Sequence, residues 1–309
     1  MLIVLTSLVP VAALLALGFF LSRNPVFPEG TWLGVERLAY FVFIPCFLIH
    51  AFSQRSLELG SILNLMSGLW GATLFISVLL WVSARWFLQD APATFTSVFQ
   101  GSTRPNNFLG LAIATGLWGE DGASFMAAAA GLIVILVNAL SVGTLSAFIP
   151  QTQGKRRSVQ TCIDFFKNPI ILACAGGLFL NISQIPLPEI AMQTMALLGG
   201  AALPLVLLIA GAGLQFGQVE GGGMTEAAST VIKLLVLPAL GFLVTIILGI
   251  EGVERGVIIL MLALPAPASA YVLARQMGGN APIMARIISL QTIASFLTLP
   301  AILLATGLL

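Results

Sequence analysis

Arg104, Pro105, Asn106 and Asn107 stand together in the stretch GSTRPNNFLGLAIA (101–114), inside a run that otherwise reads as a membrane helix. A second apolar run, LALPAPASAYVLA (262–274), is interrupted by Pro265, Ala266, Pro267, Ala268 and Ser269. These residue types suit the non-covalent binding of an anion. Proline removes a backbone donor and clashes with the preceding turn, so a helix kinks or breaks there. Beyond each break the chain restarts as a half-helix whose free N–H groups carry partial positive charge. A carboxylate held between two such ends meets unpaired donors and favourable dipoles. Asn106 or Asn107 is expected to cap the first half-helix, and Ser269 the second. Arg104 adds a full charge on a planar fork that matches carboxylate geometry. An arginine at a helix centre costs about 2.5–3.5 kcal/mol on insertion scales, which implies a job or a partner. Two roles stay open for it: contact with the substrate, or a structural counter-charge that pairs with freed carbonyls or takes the place of a coupling cation.

The elements that carry these stretches are set by composition. Of 309 residues, 58% are hydrophobic and 8% charged, with a mean hydropathy of +1.04, against about 25% charged residues in soluble domains. That balance implies an integral membrane protein. The net charge of +1 gives no reason to expect nucleic acid as a partner. Taking about 20 apolar residues per span, ten spans are expected near 2–21, 33–52, 61–87, 93–118, 122–148, 168–185, 188–216, 228–249, 253–275 and 283–307. Lysine and arginine accumulate on the cytoplasmic side. With the N-terminus outside, the inner ends hold Arg23, Arg37, Arg85, Lys155, Arg156, Arg157, Lys167, Lys233, Arg275 and Arg286, and the outer ends only Arg55 and Arg255. Both termini are therefore expected outside. The first span lacks a positive region before it and is read as retained rather than cleaved.

Three prolines recur at nearly one offset: Pro10 and Pro169 at 159, Pro45 and Pro204 at 159, Pro105 and Pro265 at 160. Each pair falls in corresponding spans, which predicts a first repeat over 1–150, a short cytoplasmic linker over 151–166 and a second repeat over 167–309. Five spans per repeat is an odd number, so the second half starts from the opposite side of the membrane. The fold class expected is an all-α membrane protein of ten transmembrane helices, two inverted five-helix repeats with spans four and nine broken and crossing. Inverted repeats with matched breaks near the midplane point to the binding site of a secondary transporter.

Other residues carry less. His50, the one histidine, lies near the outer end of span two, where a surface or packing role is expected. Glu120 and Asp121 open span five, where acids complement a helix N-terminus. Gln215 and Gln291 are read as interhelical hydrogen-bonding groups. Cys46, Cys162 and Cys174 follow no metal or disulfide pattern. The chain has no HExxH, GxSG or GxxxxGK[ST] motif, so neither an enzyme nor an ATP-driven pump is expected. An anion channel is a further alternative, since broken helices also build filters.

TRPNNFLGLAIA resembles the fourth-span motif of the auxin efflux carrier family, whose plant members are the PIN proteins. KNPIILACAGGLFLNISQIPLP (167–188), GGAALPLVLLIAGAGLQF (199–216), LALPAPASAYVLARQMGG (262–279) and LQTIASFLTLP (290–300) are similar to it as well. The short loop between the halves resembles that of bacterial members, which implies the cell inner membrane and small organic anions as cargo: carboxylates such as malate, malonate or auxin-like acids. The resemblance also implies the inverted-repeat fold of bile acid symporters. Spans one, two, six and seven would form a static scaffold, with the other six in a moving, elevator-type bundle, and two copies would form a homodimer. The crossover prolines map onto Pro105 and onto Pro265 or Pro267, and the crossover asparagine onto Asn106 or Asn107. Plant carriers carry a glycine-asparagine pair where this chain has Arg104-Pro105-Asn106, so its pocket differs from theirs. No cofactor is expected. Coupling to Na+ or H+ is left open, with a sodium- or proton-coupled carrier of the bile acid symporter type as the alternative.

Overall fold

A computed structural model describes residues 2–54, 58–87, 91–149, 169–183, 185–213 and 223–308. The linker 151–166, Arg55, Lys167, Cys162 and Gln215 lie outside the described residues. Those described form helices joined by short turns, with no strand among them. In chain order the helices are α1 (Leu2–Ser22), α2 (Glu29–Leu38), α3 (Ile44–Gln54), α4 (Leu59–Phe87), α5 (Pro92–Thr103), α6 (Asn107–Phe148), α7 (Pro169–Ser183), α8 (Glu189–Ala212), α9 (Met224–Val231), α10 (Leu237–Ile247), α11 (Gly252–Ala263), α12 (Ala268–Met277) and α13 (Ala281–Ala305).

Two π-helical turns, Ala39–Phe43 and Ile232–Val236, join α2 to α3 and α9 to α10. Each lies just ahead of a proline, Pro45 or Pro238, and the residue before that proline reaches five back, Ile44 to Ala39 and Leu237 to Ile232. A proline ring crowds the carbonyl four residues earlier, and a wider turn relieves the clash.

Among the described residues six helical stretches are long and apolar enough to cross a bilayer, and the bent pair Gly252–Ala263 and Ala268–Arg275, angled by 46°, makes a seventh if it is one span. One stretch, Pro92–Phe148, has 57 residues. At about 1.5 Å per residue it would run close to three bilayer cores if straight. It is divided instead at 104–106 and again at Gly119, whose φ of 60° is open to glycine without strain. Glu120 and Asp121 follow that kink directly, at the restart of the helix, where their acids were expected.

The packing falls into two groups. α1 lies along α8, and α3 lies against both α7 and α8. α4, α5, α9, α10, α11, α12 and α13 pack among themselves. α6 belongs to the second group and also covers α1, α3, α7 and α8; Ser124 Oγ of α6 donates to the Ala51 carbonyl of α3 at 3.1 Å. α12 instead packs on α13 and α5, with Ala268, Ser269, Val272 and Arg275 exposed.

The α1–α8 crossing is closed by two glycines. A Cβ on Gly18 would collide with the Leu208 carbonyl, and one on Gly211 with the Leu15 carbonyl. Backbone cannot swing aside as a side chain can. Gly18→Ala and Gly211→Ala are each expected to destabilise the protein by about 1–3 kcal/mol, the usual range for overpacking, measured as a lower melting temperature in detergent.

Candidate functional site

The two breaks are built alike. α5 ends at Thr103 with Arg104 as its C-cap, followed by Pro105; α11 ends at Ala263 with Leu264 as its C-cap, followed by Pro265. Both C-caps are extended, with ψ of 125° and 142°, as the residue before a proline prefers. The breaks also touch: the Asn106 amide donates to the Pro265 carbonyl at 2.8 Å.

Each break frees backbone groups that water cannot reach, and these must find partners. Gly101 lies four residues before Pro105, so its carbonyl has no helical N–H to accept. The Leu262 carbonyl and Ala266 N–H would pair in an unbroken helix, but the chain turns away between them. Gln291 of α13, fully buried, serves both breaks. Its Oε1 accepts from the Ala266 N–H at 2.8 Å, and its Nε2 donates to the Gly101 carbonyl at 3.0 Å. Lys233 Nζ, from the second π turn, donates to the Leu262 carbonyl at 3.1 Å. Ser229 adds a polar link from α9, accepting from Ser102 Oγ at 3.2 Å and donating to the Val98 carbonyl at 3.4 Å.

Beyond the breaks two half-helices begin. Asn106 is the N-cap of α6, its Oδ1 accepting from the Leu109 amide at 3.3 Å. That leaves the first-turn amides of Asn107 and Phe108 without helical partners. Asn107 follows as the first helical residue, its Oδ1 buried without a partner. The expected cap by Ser269 is corrected: the N-cap of α12 is Pro267, with no side-chain cap bond, and Ser269 sits exposed within the first turn. The two-proline sequence starts the helix two residues earlier than a Ser269 cap requires, so the amides of Ala268 and Ser269 carry no side-chain cap.

Arg104 lies at this junction, 8% exposed. Its Nε and Nη1 are buried and have no hydrogen-bond partner. Two ion pairs, Glu226 with Arg286 at 2.8 Å and Glu251 with Arg255 at 3.8 Å, lie elsewhere. One turn earlier on α5, Gln100 is fully buried with both amide atoms unpartnered. Donors of this kind, on a break that leads into the N-terminus of α6, suit an anion with several acceptor oxygens.

The arrangement thus brings together Arg104, Pro105, Asn106, Pro265 and Ala266 through direct backbone contact, with Asn107, Pro267, Ala268 and Ser269 at the two half-helix starts. Among the described residues no group of three or more His, Cys, Asp or Glu is placed to hold a metal ion. Lys233 departs from expectation. Counting basic residues assigned it to the inner end of a span, yet it is fully buried and reaches the second break.

A family model described as membrane transport protein matches residues 3–303. The chain belongs to this family of membrane transport proteins. It is the auxin efflux carrier or PIN-like family that the span motifs resemble. The transport family match has relatives in archaea. An uncharacterized transporter of Methanothermobacter thermautotrophicus is 23% identical over 303 residues, covering 95% of each chain. An uncharacterized transporter of Methanocaldococcus jannaschii is 20% identical over 269 residues, covering 85% of this chain and 86% of its own. Together with the apolar helices, the match makes this chain an integral membrane protein of a transporter family.

Proposed function

We propose that this transporter is a secondary carrier of small organic anions, carboxylates such as malate, malonate or auxin-like acids, bound at the junction of the two broken helices. The observation that carries the reading is Arg104, buried with Nε and Nη1 unpartnered, on the break whose Asn106 amide bonds the Pro265 carbonyl. A carboxylate there would accept from the guanidinium and from the open amides of Asn107, Phe108, Ala268 and Ser269.

The same proposal includes ten crossings in two inverted repeats over 1–150 and 167–309, with both termini outside the cell inner membrane and two copies forming a homodimer. The packing supports the repeat. Exchange of spans one with six and two with seven turns the α1–α8 contact into the α7–α3 contact, and both are extensive. It also includes an elevator mechanism. Gln291 and the Asn106–Pro265 bond tie both breaks to one bundle, so cargo held there would travel with the bundle past α1, α3, α7 and α8.

The test is uptake of labelled malate and malonate into vesicles holding the purified protein. Saturable uptake, accelerated by unlabelled substrate inside the vesicle, is the expected result. Flux that rises linearly with concentration and shows no such acceleration would mean a channel, and no flux of any organic acid would remove the substrate class.

A further inference from the structure

Each break leaves the C-terminus of a half-helix inside the protein, and such an end carries roughly half an elementary negative charge. In transporters with broken helices these ends and their freed carbonyls are where coupling cations are held. Here a basic residue stands at each break, one with its donors left open and one bonded to the helix end. At α5 it is Arg104, the C-cap itself. The offset of 160 that relates Pro105 to Pro265 relates Arg104 to Leu264, which caps α11 and has no charge. The second cation comes from another span: Lys233, 0% exposed, places Nζ 3.1 Å from the Leu262 carbonyl, one of those left open at the end of α11. The same offset sets Lys233 against Thr73, also fully buried and uncharged. Each repeat thus has one cation at its break, from a different position in each.

We propose that Lys233 is a tethered counter-cation for the second break, filling the place of a dissolved ion, and that the carrier consequently works without sodium. A lysine suits this role. Its ammonium is a compact point charge on a flexible stem, closer to a monovalent ion than a guanidinium fork is. Glu226, the buried acid two turns earlier, is engaged by Arg286 and the Thr225 hydroxyl, which leaves the helix end as the described counter-charge to Lys233. The transport half of this inference rests on the carrier reading above; the stability half does not, so the two fail separately.

The experiment is thermal melting of the purified full-length protein in sodium chloride and in choline chloride at equal ionic strength. Wild type is expected to melt at one temperature in both. Lys233→Ala should melt several degrees lower in choline and recover in methylammonium chloride, which can enter the space of the lost ammonium. Lys233→Met, close in shape but uncharged, should melt lower than wild type, and Lys233→Arg should fall between them. Stabilisation of wild type by sodium overturns the proposal, as does wild-type melting of Lys233→Met. If the alanine variant does not fold, the wild-type salt comparison and the methionine variant still decide. In vesicles, uptake of labelled malate should be equal with sodium or choline outside; uptake that follows an imposed proton gradient in wild type and is lost in Lys233→Arg would make the lysine a proton carrier and overturn the fixed-charge role.

Discussion

Arg104→Ala is expected to weaken carboxylate binding roughly 10- to 100-fold, the loss of about 1.5–3 kcal/mol that follows removal of a hydrogen bond to a charged group. The measurement is the KM for labelled uptake together with a Kd from ligand-induced thermal shift. Arg104→Lys should lose less, since it keeps the charge and forfeits only the two-pronged geometry. Stability supplies a second readout. Nε and Nη1 have no protein partner, so their removal orphans nothing and relieves a buried charge. The alanine variant should therefore melt no lower than wild type in the absence of ligand. A variant that melts well below wild type would show that Arg104 is a structural counter-charge rather than a contact for cargo.

Gln291→Leu is expected to have the opposite signature, with transport and stability falling together. The substitution strands the Ala266 N–H and the Gly101 carbonyl, both of which now depend on the Gln291 amide. A buried unsatisfied polar group costs about 1–3 kcal/mol, and two are created at once. Gln291→Glu retains an acceptor for Ala266 but, when ionised, has no donor for Gly101, so its losses should lie between. Gln291→Asn, one methylene shorter, should fail to span the two breaks. Melting in detergent and uptake in vesicles check the series; a leucine variant that transports normally would mean that the breaks find other partners.

What was legible in the sequence divides along physical lines. The breaks were legible because proline acts through its own missing N–H, and both lie where Pro105 and Pro265 put them. Asn106 as a cap was legible for the same reason, since an N-cap bond spans three residues. The apolar helices were legible as a class: among the described residues six stretches, one of them broken twice, and a bent pair are long and apolar enough to cross a bilayer, where composition suggests ten spans. The interruption at Gly119 falls between the expected spans 93–118 and 122–148, so length made its place legible; that a positive-φ glycine makes the kink was not. Gln291 and Lys233 were read by type alone. A polar residue in an apolar span announces a hydrogen bond, but its partner is a backbone group that no residue identity records. For Lys233 a clue was available. Once the offset pairs Arg104 with Leu264, one helix end lacks a charge, and a lysine inside the preceding span is the candidate to provide it.

The coverage of α6 and the bareness of α12 have a bearing on the cycle. In the proposed repeat these two half-helix starts are counterparts, yet residues 107–115 include none that is exposed, while four on α12 are. On that repeat, two near-equivalent halves would be resting in an unequal posture. On the proposed mechanism, the complementary posture needs no new design. It would follow from trading places: α12 sheltered beneath the static helices, the start of α6 laid bare, and cargo released to the other compartment.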